Sequence, residues 1–293
     1  MKNAVILIDK AGGLSSAAEL SRLKRKLSLN KVGHAGTLDP MATGLLVCLC
    51  NSATRLASYA QRGKKLYSGI IKLGVVTTTD DKNGVVISES DFVPDYNEVL
   101  QAKSSLIGKI EQMPPDISAK KIDGQRAYKI SRKGLKPKLK TKQVFVDSFE
   151  TWQVSPSEIG FRVECSSGTY IRSLARDLGV LLGCGGCLYD LRRERSYPFS
   201  VKSAKSVEDI CESDFLDWTA LFPDHARVKF ESTYIKKMRS GDMKNIRSSL
   251  GGIIAEQVES LSDTVLYFDD IQEQPMGILK NVSGVWEIAV NLN

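Results

Sequence analysis

One stretch constrains this chain more than any other: Gly33-His34-Ala35-Gly36-Thr37-Leu38-Asp39-Pro40-Met41-Ala42-Thr43-Gly44-Leu45-Leu46. Three glycines, a histidine and a single carboxylate stand directly before an apolar run that lasts to Cys50. Glycine permits backbone shapes and close approaches that a side chain forbids. Pro40 fixes its own φ and drives Asp39 toward an extended conformation, so the carboxylate rides on a stiffened peptide. Taken alone, the stretch reads first as a turn into a buried strand with Asp39 as a local cap, and only second as a carboxylate held out for chemistry.

At 293 residues, 42% hydrophobic and 26% charged, the chain suits one large folded domain and a small one. Ala4 to Ile8 is too brief an apolar core for a secretory signal, and no run approaches the roughly 18 residues of a membrane helix. The expectation is a soluble, cytoplasmic protein without membrane attachment. Of the six cysteines, Cys184 and Cys187 have metal-ligand spacing but no second pair, and the chain holds only His34 and His225. Zinc in structural sites takes four ligands, so no metal is expected. Neither a Walker-type phosphate loop nor a GxGxxG motif is present, which disfavours nucleotide-dependent chemistry.

Charge is unevenly distributed. Residues 206–293 hold 8 basic and 15 acidic residues, a net of −7, which leaves +14 on residues 1–205. From Lys120 to Lys142 there are ten Lys or Arg against one acid, Asp123, with lysines alternating from Lys136 to Lys142. Alternating cations on an extended segment can track a phosphate backbone, although a solvated surface loop has the same pattern.

The pattern predicts a strand at Ala4–Ile8, a helix from Ala17 to about Ser28 capped by Ser15 or Ser16, and a strand from Leu45 to Cys50. A short helix follows to Tyr59, then a strand from Lys65 to Gly74 with Leu66, Ile71 and Leu73 opposed to Tyr67 and Lys72. Val75 to Gly84 reads as a hairpin tip or long loop, in which Asp80 and Asp81 are ordinary turn formers on local grounds. Helices are expected at Tyr96–Ile107, Gln125–Arg132, Tyr170–Leu182 (capped by Thr169) and from Val207 to about Leu216. Strands are expected at Gln143–Val154, Ile159–Ser166 and Leu188–Tyr197. Beyond Pro223-Asp224, short β-type runs, among them Ile253-Ile254 and Val265–Phe268, suggest a small β-rich module.

At Gly-His-Ala-Gly-Thr-Leu-Asp-Pro-Met-Ala-Thr-Gly the sequence resembles the TruB family of tRNA pseudouridine synthases. Further blocks occur in the family's order over residues 3 to 200. These are Lys65-Leu66-Tyr67, Leu73-Gly74 with Thr77 to Gly84, Ser118-Ala119-Lys120-Lys121 with Arg126-Ala127-Tyr128, Gly168 to Leu174, and Leu191-Arg192-Arg193. The resemblance implies an α+β fold. A catalytic domain over residues 1–222 would carry a mixed, largely antiparallel sheet flanked by helices, with a mobile basic thumb inserted at about 112–142. Residues 223–293 would form a PUA-like or reduced C-terminal module, where Lys236, Lys237, Arg239, Lys244 and Arg247 could make a local basic patch.

The implied activity is conversion of uridine 55 in the T-loop of tRNA to pseudouridine. The glycosidic bond is cut, the uracil turns, and a C–C bond forms from C5. Nothing is added or lost, so no cofactor is implied. Asp39 aligns with the family's reactive carboxylate, Arg172 with the arginine that pairs with it, and Tyr67 with the tyrosine that stacks on the flipped uracil and whose hydroxyl is placed for proton transfer. His34 aligns with the histidine that fills the space the base leaves, Asp81 with an aspartate that rearranges on RNA binding, and Tyr170 and Leu191 with pocket-lining residues. Lys121, in the thumb, is expected to touch the RNA. The partner implied is tRNA through its T-stem-loop, bound by a monomer without an obligate protein partner. The rival readings are a non-catalytic helper of tRNA folding and an RNA-guided relative working inside a ribonucleoprotein.

Overall fold

The apolar run that follows Asp39 is buried on both faces, and its alternation shows how. The structure, a computed structural model, describes residues 3–117, 139–240, 242–258 and 263–292, and the backbone alone of 121–122 and 125–126. In strand Thr43–Cys50, Leu46, Cys48 and Cys50 enter one hydrophobic cluster while Leu45, Val47 and Leu49 enter another. Its neighbour Ala4–Lys10 does the same, with Ala4, Ile6 and Ile8 on one side and Val5 and Leu7 on the other. Side chains two apart share a face of a strand, so a continuous hydrophobic run is the signature of a strand between two layers. Each fully buried aliphatic side chain contributes about 1.5–3 kcal/mol.

The main sheet runs, from one edge, Leu216–Asp217, Ala4–Lys10, Thr43–Cys50, Gly186–Ser196, Lys65–Leu73, Glu158–Cys165, Lys142–Ser155 and Gly108–Gln112. It is mixed: Gly186–Ser196 pairs parallel with Thr43–Cys50 and antiparallel with Lys65–Leu73, while the other path neighbours pair antiparallel. Strand Gly186–Ser196 therefore joins the two halves of the sheet. Its Arg193 is the register partner of Gly44 on one side and of Tyr67 on the other.

The first cluster is covered by helices Ser16–Lys26, Tyr96–Ser104 and Ile171–Leu181, which insert Leu23, Val99, Leu174 and Leu178. Ser15 Oγ caps the first of these helices, and Asp95 with Glu98 forms a capping box on the second. The second cluster joins the sheet to the C-terminal module: Leu266, Phe268, Ile278 and Leu292 pack with Leu45, Val47, Leu49 and Trp218. That module has its own sheet, in the order Arg227–Phe230, Thr264–Asp269, Pro275–Val282 and Val285–Asn291, and helices Ser232–Ser240 and Arg247–Gln257.

Several expectations are corrected. Val207 to Leu216 is not a helix: Val207 and Ile210 do reach the core, but Ser206 Oγ bonds Asp209 and Cys211 N–H bonds Asp214, closing local turns and a 3-10 turn at Glu212–Asp214. Ile253-Ile254 lies in a helix, where Leu250 and Ile254, one turn apart, are the buried pair; Gly251-Gly252 masks the helical signal. The helix begun at Tyr96 ends at Ser104, and a strand not read from sequence, Gly108–Gln112, follows at the sheet edge. Gln125–Arg126 pairs with Lys121–Ile122 as a β-ribbon, not as the start of a helix. The remainder of that expected helix, and most of the expected thumb, lies outside the described residues. In strand Lys65–Leu73, Tyr67 shares the face of Ile71 and Leu73 instead of opposing it.

Candidate active site

The Asp39 loop is tied down along its length. Lys10, fully buried, donates from Nζ to the carbonyls of Ala11 (2.8 Å), Pro40 (3.2 Å) and Ala42 (2.7 Å). Ser16 Oγ both donates to Leu38 O and accepts from Leu38 N, each at 2.8 Å. Gly13 N–H donates to Pro40 O, and Ala42 N–H closes a turn onto Asp39 O at 3.1 Å. Gly36 and Gly44 adopt φ of +105° and +96°. A Cβ on Gly44 would also stand 2.4 Å from Arg193 O, so the strand pairing itself demands glycine there. The backbone is fixed from three elements before the carboxylate does anything.

Asp39 then meets Arg172, which sits in the first turn of helix Ile171–Leu181. Arg172 Nη2 donates to Asp39 Oδ1 at 3.0 Å, and Nε lies 2.9 Å from Oδ2. The Arg172 side chain is 7% exposed and that of Asp39 32%, so the cation is buried beneath a carboxylate that still faces open space. Two-point contact fixes orientation as well as charge. Arg172 makes further bonds to Thr79 O and Ile117 O, both 3.0 Å, and its Nη1 lies 3.6 Å from Asp81 Oδ2.

Helix Ile171–Leu181 starts without a side-chain cap. Thr169, expected as the cap, turns its hydroxyl to Ser166 O instead. Tyr170 occupies the cap position, and the buried Gln112 side chain holds its peptide from both sides, accepting from Tyr170 N at 2.8 Å and donating to Tyr170 O at 3.0 Å. Ser173 Oγ and Arg176 Nη2 both donate to Met113 O at 2.8 Å, so the helix is sewn to the chain that leads into the basic segment.

These residues border a cavity of about 750 Å³, within the range of sites that enclose small ligands. Its lining includes His34, Asp39, Tyr67, Tyr170, Arg172 and Leu191, six of the eight residues singled out from sequence. Asp81 is not in the wall. It stands behind Arg172, buried, with Oδ1 accepting from Thr79 Oγ1 (2.7 Å) and Asn83 N (3.0 Å). Its neighbour Asp80 pairs with Arg176 at 2.9 Å, one turn along the helix from Arg172. The side chain of Lys121 lies outside the described residues.

Lys65, Arg193 and Lys142 also line the cavity; from sequence Lys65 and Arg193 belong only to motif blocks and Lys142 only to the basic run, none of them with a place in the site. Lys65 and Arg193 are 5% and 1% exposed, and burial pushes the Lys65 ammonium down to about 8. Burial pushes the Tyr67 hydroxyl up from its ordinary value, while the positive charge of Arg193 beside it acts the other way. A sequence signal existed for Lys65: it falls on the inward parity of its strand with Ile71 and Leu73, where a cation is out of place. Among the described residues no group of three His, Cys, Asp or Glu is arranged to hold a metal, and no helix is long and apolar enough to cross a membrane.

Comparisons with known proteins converge on one family. The family model described as TruB family pseudouridylate synthase, N-terminal domain, matches residues 24–171. A protein of Syntrophotalea carbinolica named tRNA pseudouridine synthase B is 41% identical over 209 residues, covering 71% of this chain and 68% of the relative. One of Arthrobacter sp. with the same name is 40% identical over 247 residues, covering 80% of this chain and 81% of the relative. Among solved structures, the crystal structure of a Cbf5–Nop10–Gar1 complex matches with a TM-score of 0.67 and 22% identity, over 100% of this chain and 84% of that one. At that identity the likeness is one of fold.

Proposed function

The chain belongs to the TruB family of pseudouridylate synthases, which isomerise uridine to pseudouridine in tRNA, and we propose that its target is uridine 55 of the T-loop and that Asp39 is its reactive carboxylate. The observation that carries the reading of Asp39 is the two-point grip of a buried Arg172 on a half-exposed carboxylate at the cavity wall. A role confined to holding tRNA gives no reason for an arginine to be buried there.

The proposed chemistry follows from what each side chain can do. Cutting the C–N glycosidic bond requires an anionic group held still beside the sugar, either to attack or to accept a proton. The Asp39 carboxylate is such a group, and its backbone has no freedom to recoil. A base inside a folded loop must be turned out of its stack, at a cost of a few kcal/mol. The Tyr67 ring offers it a face, a contact worth about 1–3 kcal/mol, and the Tyr67 hydroxyl is placed for proton transfer. Tyr170 and Leu191 wall the cavity, and His34 ends the short strand Val32–His34 that leads into the Asp39 loop. Asp81 serves by steadying Arg172. Lys142, on the cavity rim, and the basic run from Lys120 supply phosphate contacts, Lys121 among them; such contacts position the RNA while the cavity selects the base. The protein is read as a cytoplasmic monomer that needs no protein partner, so the isolated chain should modify tRNA on its own.

Asp39→Asn tests the assignment. Turnover, measured as tritium released from C5-labelled uridine in tRNA, should fall by more than about 10³-fold while tRNA affinity and melting temperature stay close to wild type. Retained turnover would overturn the role of Asp39. Undiminished turnover on tRNA with uridine 55 replaced would overturn the proposed target.

A further inference from the structure

Arg193 is the largest fully buried side chain among the described residues, and it carries a full charge. Among the described residues no carboxylate pairs with it. Its Nε donates to Leu45 O at 2.7 Å and its Nη2 to Gly36 O at 3.0 Å, two carbonyls that bracket the Asp39 loop. Its Nη1 passes 3.3 Å from where a Cβ of Gly36 would stand, so that glycine leaves room for it. In the sheet it lies between Gly44 and Tyr67 as register partner of both. Taking an unpaired guanidinium out of water carries a penalty that an apolar side chain of similar length would avoid. The fold would be better served by a methionine, which points to a use for the charge.

We propose that Arg193 is a positioning residue for the isomerisation: it clamps both ends of the Asp39 loop at a fixed spacing from Tyr67 and sets a positive charge beside the Tyr67 hydroxyl. The inference rests on the reading of Asp39 and Tyr67 given above. The groups facing the hydroxyl are few. Arg193 comes from strand Gly186–Ser196, Cys165 from strand Glu158–Cys165 and Asp39 from the loop, while Lys65, on the same strand as Tyr67, faces Arg193. Burial holds the Cys165 thiol up at about 12, so it stays neutral through the working range. Among the described residues Arg193 is thus the cation that favours the ionised phenol against the effect of burial. While Tyr67 stands as the phenolate able to accept a proton from the substrate, its negative charge lies against a guanidinium already in place, with no rearrangement required.

The test is a cycle of Arg193→Met, Tyr67→Phe and the double variant, with Arg193→Lys as the charge-conserving control, each checked for folding by circular dichroism and thermal melting. Arg193→Met should lower kcat on tRNA by about 10²-fold, change KM by less than about threefold, and move the limb of the kcat–pH profile that reports Tyr67 upward by about one unit. Arg193→Lys should restore the position of that limb while recovering turnover only in part, since one ammonium cannot serve both carbonyls in the guanidinium's geometry. In the Tyr67→Phe background Arg193→Met should cost less than about threefold more. Additive losses with an unmoved pH profile in Arg193→Met would overturn the proposal while leaving Tyr67 in its role. Full turnover by Tyr67→Phe would instead overturn the reading of Tyr67. If Arg193→Met does not fold, Arg193→Gln takes its place: the same upward movement of the limb is expected, and an unmoved limb overturns the proposal.

Discussion

Around the main sheet Lys10, Glu19, Lys65, Asp81, Arg172 and Arg193 are all buried; in the C-terminal module, among the described residues, only Asp269 is. The difference is not one of size or core quality. The module has a hydrophobic cluster of its own, including Phe230, Met238, Leu250, Tyr267 and Trp286. Its one buried carboxylate closes a turn by accepting from the N–H groups of Ile271 and Gln272. Its ion pairs, Lys229–Glu273 and Arg247–Glu287, are exposed. A buried charge is expensive wherever it occurs. Where six occur around the main sheet, three of them (Lys65, Arg172 and Arg193) in the wall of one cavity, and one in the module, burial of charge marks the place where the fold gives up stability for chemistry.

Replacing Arg172 should be the most damaging change among these. Arg172→Met leaves Asp81 buried without its cation and Asp39 unoriented. Turnover should fall by about 10²–10⁴-fold and unfolding free energy by about 3–5 kcal/mol, read by single-turnover tritium release and urea titration. A loss of turnover with unchanged stability would break the link between buried charge and cost. Next is Lys10→Met, which strips a buried donor from three carbonyls; the expected loss is about 3 kcal/mol, with activity reduced through a loosened Asp39 loop.

Lys65 sharpens the comparison through pH. Its ammonium has an ordinary value of 10.5 and is held at about 8 in the fold. Between those values the unfolded chain binds more protons than the folded one, so stability rises with pH across that window. The stability difference between wild type and Lys65→Met should therefore move in favour of wild type from about pH 8 to about pH 10. A constant difference would place the Lys65 charge in solvent.

The smallest effects belong to the module. Lys236→Ala with Lys237→Ala should change tRNA affinity by less than about threefold, as expected for exposed cations on an acidic body. Arg247→Ala should cost no more than about 1 kcal/mol. Substitution is the cleaner probe here. Removing the module would uncover Leu45, Val47 and Leu49, which pack against Leu266, Phe268 and Ile278.

Local sequence was enough wherever a short-range rule acts. The strands Ala4–Lys10 and Thr43–Cys50, the Ser15-capped helix, and the hairpin Lys142–Ser155 with Glu158–Cys165 follow from periodicity and turn residues. The motif blocks placed Asp39, Tyr67, Tyr170, Arg172, Leu191 and His34, and the fold brings all six to one cavity. Reading failed where side chains competed with the backbone, as at Val207–Leu216, or where glycines hid a helix, as at Arg247–Gln257.

What the sequence determined by itself was which residue types stand on which stiff peptide: a carboxylate before a proline, glycines where φ must be positive, an arginine opening a helix. What only the tertiary structure decided was which of many cations would be buried and what each would hold. Arg193 is distant along the chain from both the Asp39 loop and Tyr67. The insertion of Gly186–Ser196 between Thr43–Cys50 and Lys65–Leu73 is what sets it beside Gly44 and Tyr67 together. Strand register is a property of the assembled sheet, and a one-residue slip would turn Arg193 to the opposite face.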